Sequence, residues 1–134
     1  MTEKDLSQYF KLNKEVKDLE ERIITMGNGI GSMEFNSNTK AVGKKIESFQ
    51  EKISELKDLW AEARVSALEK YIEIEKYIES VEDPEIRTIM RKRFLDLKNW
   101  DDIGRELNYD RTSVSKKCRS YIKDHIPTNP THIW

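Results

Sequence analysis

The chain has 134 residues, 37% of them charged and 37% hydrophobic, with only five Gly and three Pro. That balance suits one small domain with an extended helical appendage and excludes a single large globular core. No apolar run reaches the length of a membrane span, MTEKDLSQYF lacks a signal-peptide apolar stretch, and the single Cys118 excludes an intrachain disulfide framework. A cytoplasmic location is expected.

From Tyr9 the apolar positions run Tyr9, Leu12, Val16, Leu19, Ile23 and Met26 in steps of three and four, the spacing of a coiled-coil seam. Gly27 is the expected stop. Next comes GNGIGSMEFNSNTK, which holds three of the five glycines. A dinucleotide fingerprint needs a strand before it, and a Walker loop needs its Lys-Ser/Thr pair. Neither is present, so residues 27–41 are expected to form a flexible loop with no ligand.

A second seam runs Val42, Ile46, Phe49, Ile53, Leu56, Trp60, Ala63, Ala67, Tyr71, Ile74 and Ile78, with no Pro before Pro84. It predicts a helix of about 40 residues, or about 60 Å. The two seams together predict an antiparallel coiled-coil hairpin over residues 1–81. The first seam is about half as long as the second. Leu68, Tyr71, Ile72 and Ile78 therefore need another partner, for which a second subunit is favoured over the C-terminal domain. A homodimer is expected.

After Ser80 the chain carries three helix starts. Asp83-Pro84-Glu85 supplies a cap, a first-turn Pro and an early acid ahead of the face Ile86, Ile89, Met90, Phe94, Leu97. Asn99 can cap a short helix bearing Trp100, Ile103 and Leu107. Asp110 can cap a last helix with Val114, Cys118, Tyr121 and Ile122 inward. Pro127 and Pro130 end the pattern, leaving 127–134 as a tail.

Residues 82–126 are thus expected to form a three-helix domain with a very tight connection between its second and third helices. A helix-turn-helix needs a small residue where those helices cross, and Gly104 stands there. It needs a residue tolerant of positive φ in the turn, and Asn108 qualifies. Tyr109 is expected to tuck beneath the turn.

Charge divides along the chain. Residues 1–82 carry −4 and residues 83–134 carry +3, while Arg87–Lys123 alone carries +6. A polyanion should therefore meet the C-terminal third. On the last helix, Arg111, Thr112, Ser115 and Lys116 are the expected base-reading residues. Arg91, Lys92, Arg93, Lys98, Lys117, Arg119 and Lys123 are the expected phosphate contacts. With roughly five phosphates neutralised, log affinity should fall against log salt with a slope of about −4 to −5.

VEDPEIRTIMRKRFLDLKNWDDIGRELNYDRTSVSKKCRSYIKD resembles the promoter-reading region 4 of bacterial sigma factors. It is closer still to small phage and prophage regulators of Gram-positive bacteria, of the ArpU and RinA late-transcription type. Asp83-Pro84-Glu85, Arg93-Phe94, Trp100-Asp101-Asp102-Ile103 and Leu107-Asn108-Tyr109 carry the resemblance. It implies an all-α regulator of phage or prophage genes in a bacterial cytoplasm that binds double-stranded promoter DNA; host RNA polymerase is a further candidate partner. A region that melts promoters is not recognisable, which argues against an autonomous sigma factor. Asp110 stands where relatives often have Ser.

Two rivals come from other classes. One is an interaction protein docking on polymerase or another regulator through the helical hairpin. The other is a DNA-packaging protein resembling a small terminase subunit. His125 and His132, with Cys118, lack the close pairs a zinc site needs, so no metal or cofactor is expected. Ser113 and Ser115 near His125 lack an oxyanion loop, and the sequence offers no enzyme.

Overall fold

The computed structural model describes residues 1–36 and 40–125. Residues 37–39 of the expected loop, the tail 127–134 and His132 lie outside the described residues. Every described element is helical, with no strand among the described residues. None of these helices is long and apolar enough to cross a membrane. In chain order they are α1 (Glu3–Leu6), α2 (Gln8–Asn36), α3 (Lys40–Glu79), α4 (Pro84–Met90), a π-helical turn (Arg91–Leu95), α5 (Trp100–Leu107) and α6 (Arg111–Asp124). Packing groups them into two units. One is contiguous, Leu12–Ala67; the other joins Met1–Lys11 to everything from Leu68 onward. The sequence had placed the division at 81/82.

In the contiguous unit, the seams are the buried faces of α2 and α3. Val16, Leu19, Leu56 and Ala67 are buried, and Trp60 Nε1 donates to Glu20 Oε1 at 2.9 Å. Phe49 is the exception, lying exposed. Gly27 does not stop α2, which runs on to Asn36. Gly27, Gly29 and Gly31 all keep ordinary negative φ. The apolar period continues through them, and Ile30, four residues beyond Met26, is buried. Each glycine costs the helix about 1 kcal/mol, which burial of Ile30 with the half-buried Met26 and Met33 offsets.

The other unit is built around Leu6, Ile74, Ile78, Ile89, Met90, Phe94, Trp100, Ile103, Val114, Cys118 and Ile122. Its first segment is a helix the sequence reading passed over. Thr2 Oγ1 accepts from Asp5 N–H at 3.2 Å and Asp5 Oδ2 accepts from Thr2 N–H at 3.0 Å. This reciprocal cap fixes α1 and drops Leu6 into the core. Tyr9 meets Tyr71 edge-on, ring centroids 5.1 Å apart. The distal part of the α3 seam therefore finds its cover within the chain. Ile74 and Ile78 are fully buried in this core, and only Leu68 and Ile72 stay exposed.

Asp83 caps α4 as expected, accepting from Glu85 N–H at 2.8 Å. The helix then widens into the π turn, where Asp96 N–H donates to the Arg91 carbonyl at 2.9 Å. That extra residue lets both Phe94 and Leu95 face the core. Leu97 ends the turn at φ 60, in the left-handed region that disfavours a side chain.

α5 is capped by Asn99, whose side chain accepts from Asp102 N–H at 2.8 Å. It ends at Asn108, φ 60 and ψ 36, and Tyr109 N–H donates to the Gly104 carbonyl at 2.9 Å. A Cβ on Gly104 would lie 2.7 Å from the Tyr109 carbonyl oxygen and 3.3 Å from Arg111 N. Asp110 caps α6, accepting from Ser113 N–H at 2.7 Å. Tyr109 does not tuck beneath the turn. It is 38% exposed, and its hydroxyl donates to Glu85 Oε2 at 3.1 Å. The α5–α6 crossing is too close to admit the ring.

The glycines should separate in urea unfolding. Gly104→Ala should cost about 1–3 kcal/mol through the clash with backbone. Gly27→Ala, Gly29→Ala and Gly31→Ala meet nothing within 4 Å and should each add about 0.5–1 kcal/mol. Cys118 gives a second expectation, because burial pushes its thiol up to about 12 from 9.0. A raised folded value means its contribution is complete below pH 9.0 and lost as pH climbs toward 12. Thiol reagents should reach Cys118 only on unfolding, with the reaction rate following the unfolded fraction.

Candidate nucleic-acid interface

α6 divides by face. Val114, Cys118 and Ile122 anchor it to the core, while Arg111, Thr112, Lys116, Arg119 and Lys123 are exposed. Ser115 departs from its expected base-reading place. It is buried, and its hydroxyl donates to the Thr112 carbonyl at 3.1 Å. It sits one residue past Val114 on the inner edge, and its short side chain satisfies itself on its own helix.

The basic residues fall into three groups. Arg91, Lys116 and Lys123 are exposed and, among the described residues, none of them makes an ion pair. Arg111 belongs with them, since its one carboxylate neighbour, Asp101, stands 4.0 Å away and both side chains are well exposed.

A second group is held by carboxylates. Glu106 takes Lys92 at 2.9 Å through one oxygen and Lys98 at 2.5 Å through the other. Glu85 holds Lys117 at 2.5 Å, with the ammonium also 4.4 Å from the centre of the Tyr109 ring. Glu3 of α1 holds Arg119 at 3.2 Å. These contacts hold Glu106 and Glu85 below the usual carboxylate range, Glu106 through Lys98 first and Glu85 through Lys117. They correspondingly raise Lys98 and Lys117. Asp110 is lowered by the Ser113 N–H it caps, so it stays anionic at the head of α6.

Arg93 forms the third group. It is half-buried, its guanidinium lies 4.7 Å from the centre of the Trp100 ring, and Nη1 donates to the Lys98 carbonyl at 3.2 Å. Burial lowers its pKa, and the neighbouring Arg119 lowers it further. Arg119 approaches the same ring at 5.7 Å. Arg93, an expected phosphate contact, spends its charge here on the Trp100 indole and the Lys98 carbonyl.

The sequence reading missed the acids. Glu85 and Glu106 were visible but had no local signal, because their partners lie 32 and 8 residues away. Glu3 lies 116 residues from Arg119. Thr2 and Asp5 at capping-box spacing would have revealed α1, though not what it touches. No family model, curated protein or solved structure matches this chain.

Carbon-detected titration should place the Glu85 and Glu106 midpoints below 4.5, so both bridges persist above that value and are lost as pH falls through the lowered midpoints. Glu106→Gln should lower the Lys98 ammonium pKa and leave Lys117 unmoved. Glu85→Gln should do the reverse. Equal movement of both lysines in either variant would contradict the pairing.

Proposed function

We propose that this chain is a sequence-specific DNA-binding transcriptional regulator of phage or prophage genes, with α5 and α6 serving as a helix-turn-helix and α6 entering the major groove of double-stranded DNA. One observation carries the reading: Gly104 admits the Tyr109 carbonyl to a distance that no side chain tolerates, and Asn108 turns the chain at φ 60. This fixes α6 with its outer face and capped N-terminus free. A helix so presented reads bases with its first residues, where Arg111, Thr112 and Lys116 stand.

The resemblance to sigma region 4 and to the ArpU and RinA regulators supports the same reading. Arg91 and Lys123 are the unpaired cations left for phosphates. Lys92, Lys98, Lys117 and Arg119 must first leave Glu106, Glu85 and Glu3, which lowers the number of phosphates neutralised at no cost. The salt slope should accordingly be about −3 to −4, shallower than the sequence alone suggests.

The test is recovery of sheared genomic and prophage DNA by the native chain beside Arg111→Ala/Lys116→Ala, followed by sequencing. Arg119 is left intact because it also packs on Trp100. One or a few upstream regions should be enriched and lost in the variant. Glu106→Gln, which releases two lysines, should steepen the salt slope by about 1–2. Uniform or absent recovery, indifferent to the double substitution, would overturn the reading.

A further inference from the structure

α3 carries a second apolar stripe that its own chain does not cover. Ala61, Val65, Leu68 and Ile72 recur at steps of four, three and four, all exposed, with Val65 at 55%, Leu68 at 46% and Ile72 at 52%. The buried seam of the same helix, through Leu56, Trp60, Ala63, Ala67 and Ile74, faces elsewhere. At 100° per residue the two stripes point well over a quarter-turn apart, so one helix serves both. Asp58 and Glu75 occupy the next core positions at either end and confine the exposed stripe to two heptads.

We infer that this stripe is a parallel two-stranded coiled-coil interface, and that its occupant is the same stripe of a second copy of this chain. The choice of occupant rests on charge. With Val65 and Ile72 at position a, and Ala61 and Leu68 at d, the e positions are Glu62 and Glu69, and the g positions are Lys57, Arg64 and the uncharged Tyr71. In a parallel pair each g residue meets the e residue five further along its partner. That register joins Lys57 to Glu62 and Arg64 to Glu69, opposite in sign at both of these contacts and repeated by the two-fold axis.

An antiparallel pair would set g against g and e against e, bringing cation to cation and acid to acid. All four charged residues are exposed, and none makes an ion pair within the chain among the described residues. The core residues agree: β-branched Val and Ile at a with Leu at d favour two strands over three or four. Every residue used lies on α3, so the inference stands apart from the DNA-binding reading.

The test is sedimentation of the full chain across the micromolar range. The native chain should approach twice 15.9 kDa. Glu62→Lys/Glu69→Lys and Lys57→Glu/Arg64→Glu should each sediment as monomers with unchanged helical circular dichroism. An equimolar mixture of the two variants should recover the dimer, because all four contacts are again opposite in sign. Leu68→Glu should be monomeric throughout.

Orientation is read by disulfide formation. Ala61→Cys and Ile72→Cys, made separately, should both give like-with-like dimers, since only a parallel pair brings both positions to their own copies. The buried Cys118 of the native chain serves as the uncrosslinked control. A monomeric native chain, a larger ring, a dimer indifferent to the charge reversals, or cross-linking at only one of the two cysteines would each overturn the inference. Loss of DNA recovery with the dimer intact would overturn the functional reading alone.

Discussion

The approach of the Tyr109 carbonyl to Gly104 is the constraint on which the C-terminal helices depend. A backbone oxygen 2.7 Å from where a Cβ would sit cannot be relieved by a rotamer change, so any other residue there must push the backbone aside. With that distance set, Asn108 must take a left-handed conformation and Asp110 falls at the head of α6 with its carboxylate on the Ser113 N–H. Val114, Cys118 and Ile122 then have only one face to bury against.

The charge arrangement follows from that placement. α6 lies within reach of acids from three other parts of its unit, and each takes or touches a cation. The net +6 between Arg87 and Lys123 already counts Glu106 but overstates the free positive charge, since Glu85 and Glu3, outside that stretch, hold Lys117 and Arg119. Surface pairs of this kind contribute little to stability, about 0–1 kcal/mol each. Their larger effect is on binding, where each must open before its cation can serve a phosphate.

What could be read in the sequence was whatever depended on near neighbours. The caps Asp83, Asn99 and Asp110, the small residue at 104 and the turn residue at 108 are all satisfied within six positions along the chain, and each stands where its residue type predicted. The all-helical class and the 40-residue length of α3 were legible for the same reason. Gly27 misled because a local helix cost was outweighed by burial of Ile30, which only packing reveals. The π turn was invisible, since one extra residue in a turn leaves no mark on composition. Tyr109 and Ser115 lie on other faces of their turn and helix than expected, a distinction that periodicity does not resolve. Glu3 on Arg119 had no local trace at all.

The division of the chain also bears on the order of assembly during synthesis. Leu12–Ala67 is one uninterrupted stretch, whereas Met1–Lys11 belongs with residues that emerge only after Leu68. Four residues of α1 cannot hold a helix alone, whatever their cap. Met1–Lys11 is therefore among the last segments to find its place, waiting for Ile74, Ile89 and Trp100 to close over Leu6. Joining such distant segments is the slow kind of contact. Refolding after dilution from denaturant should accordingly show the Leu12–Ala67 helices well before the aromatic environment of Trp100 is complete.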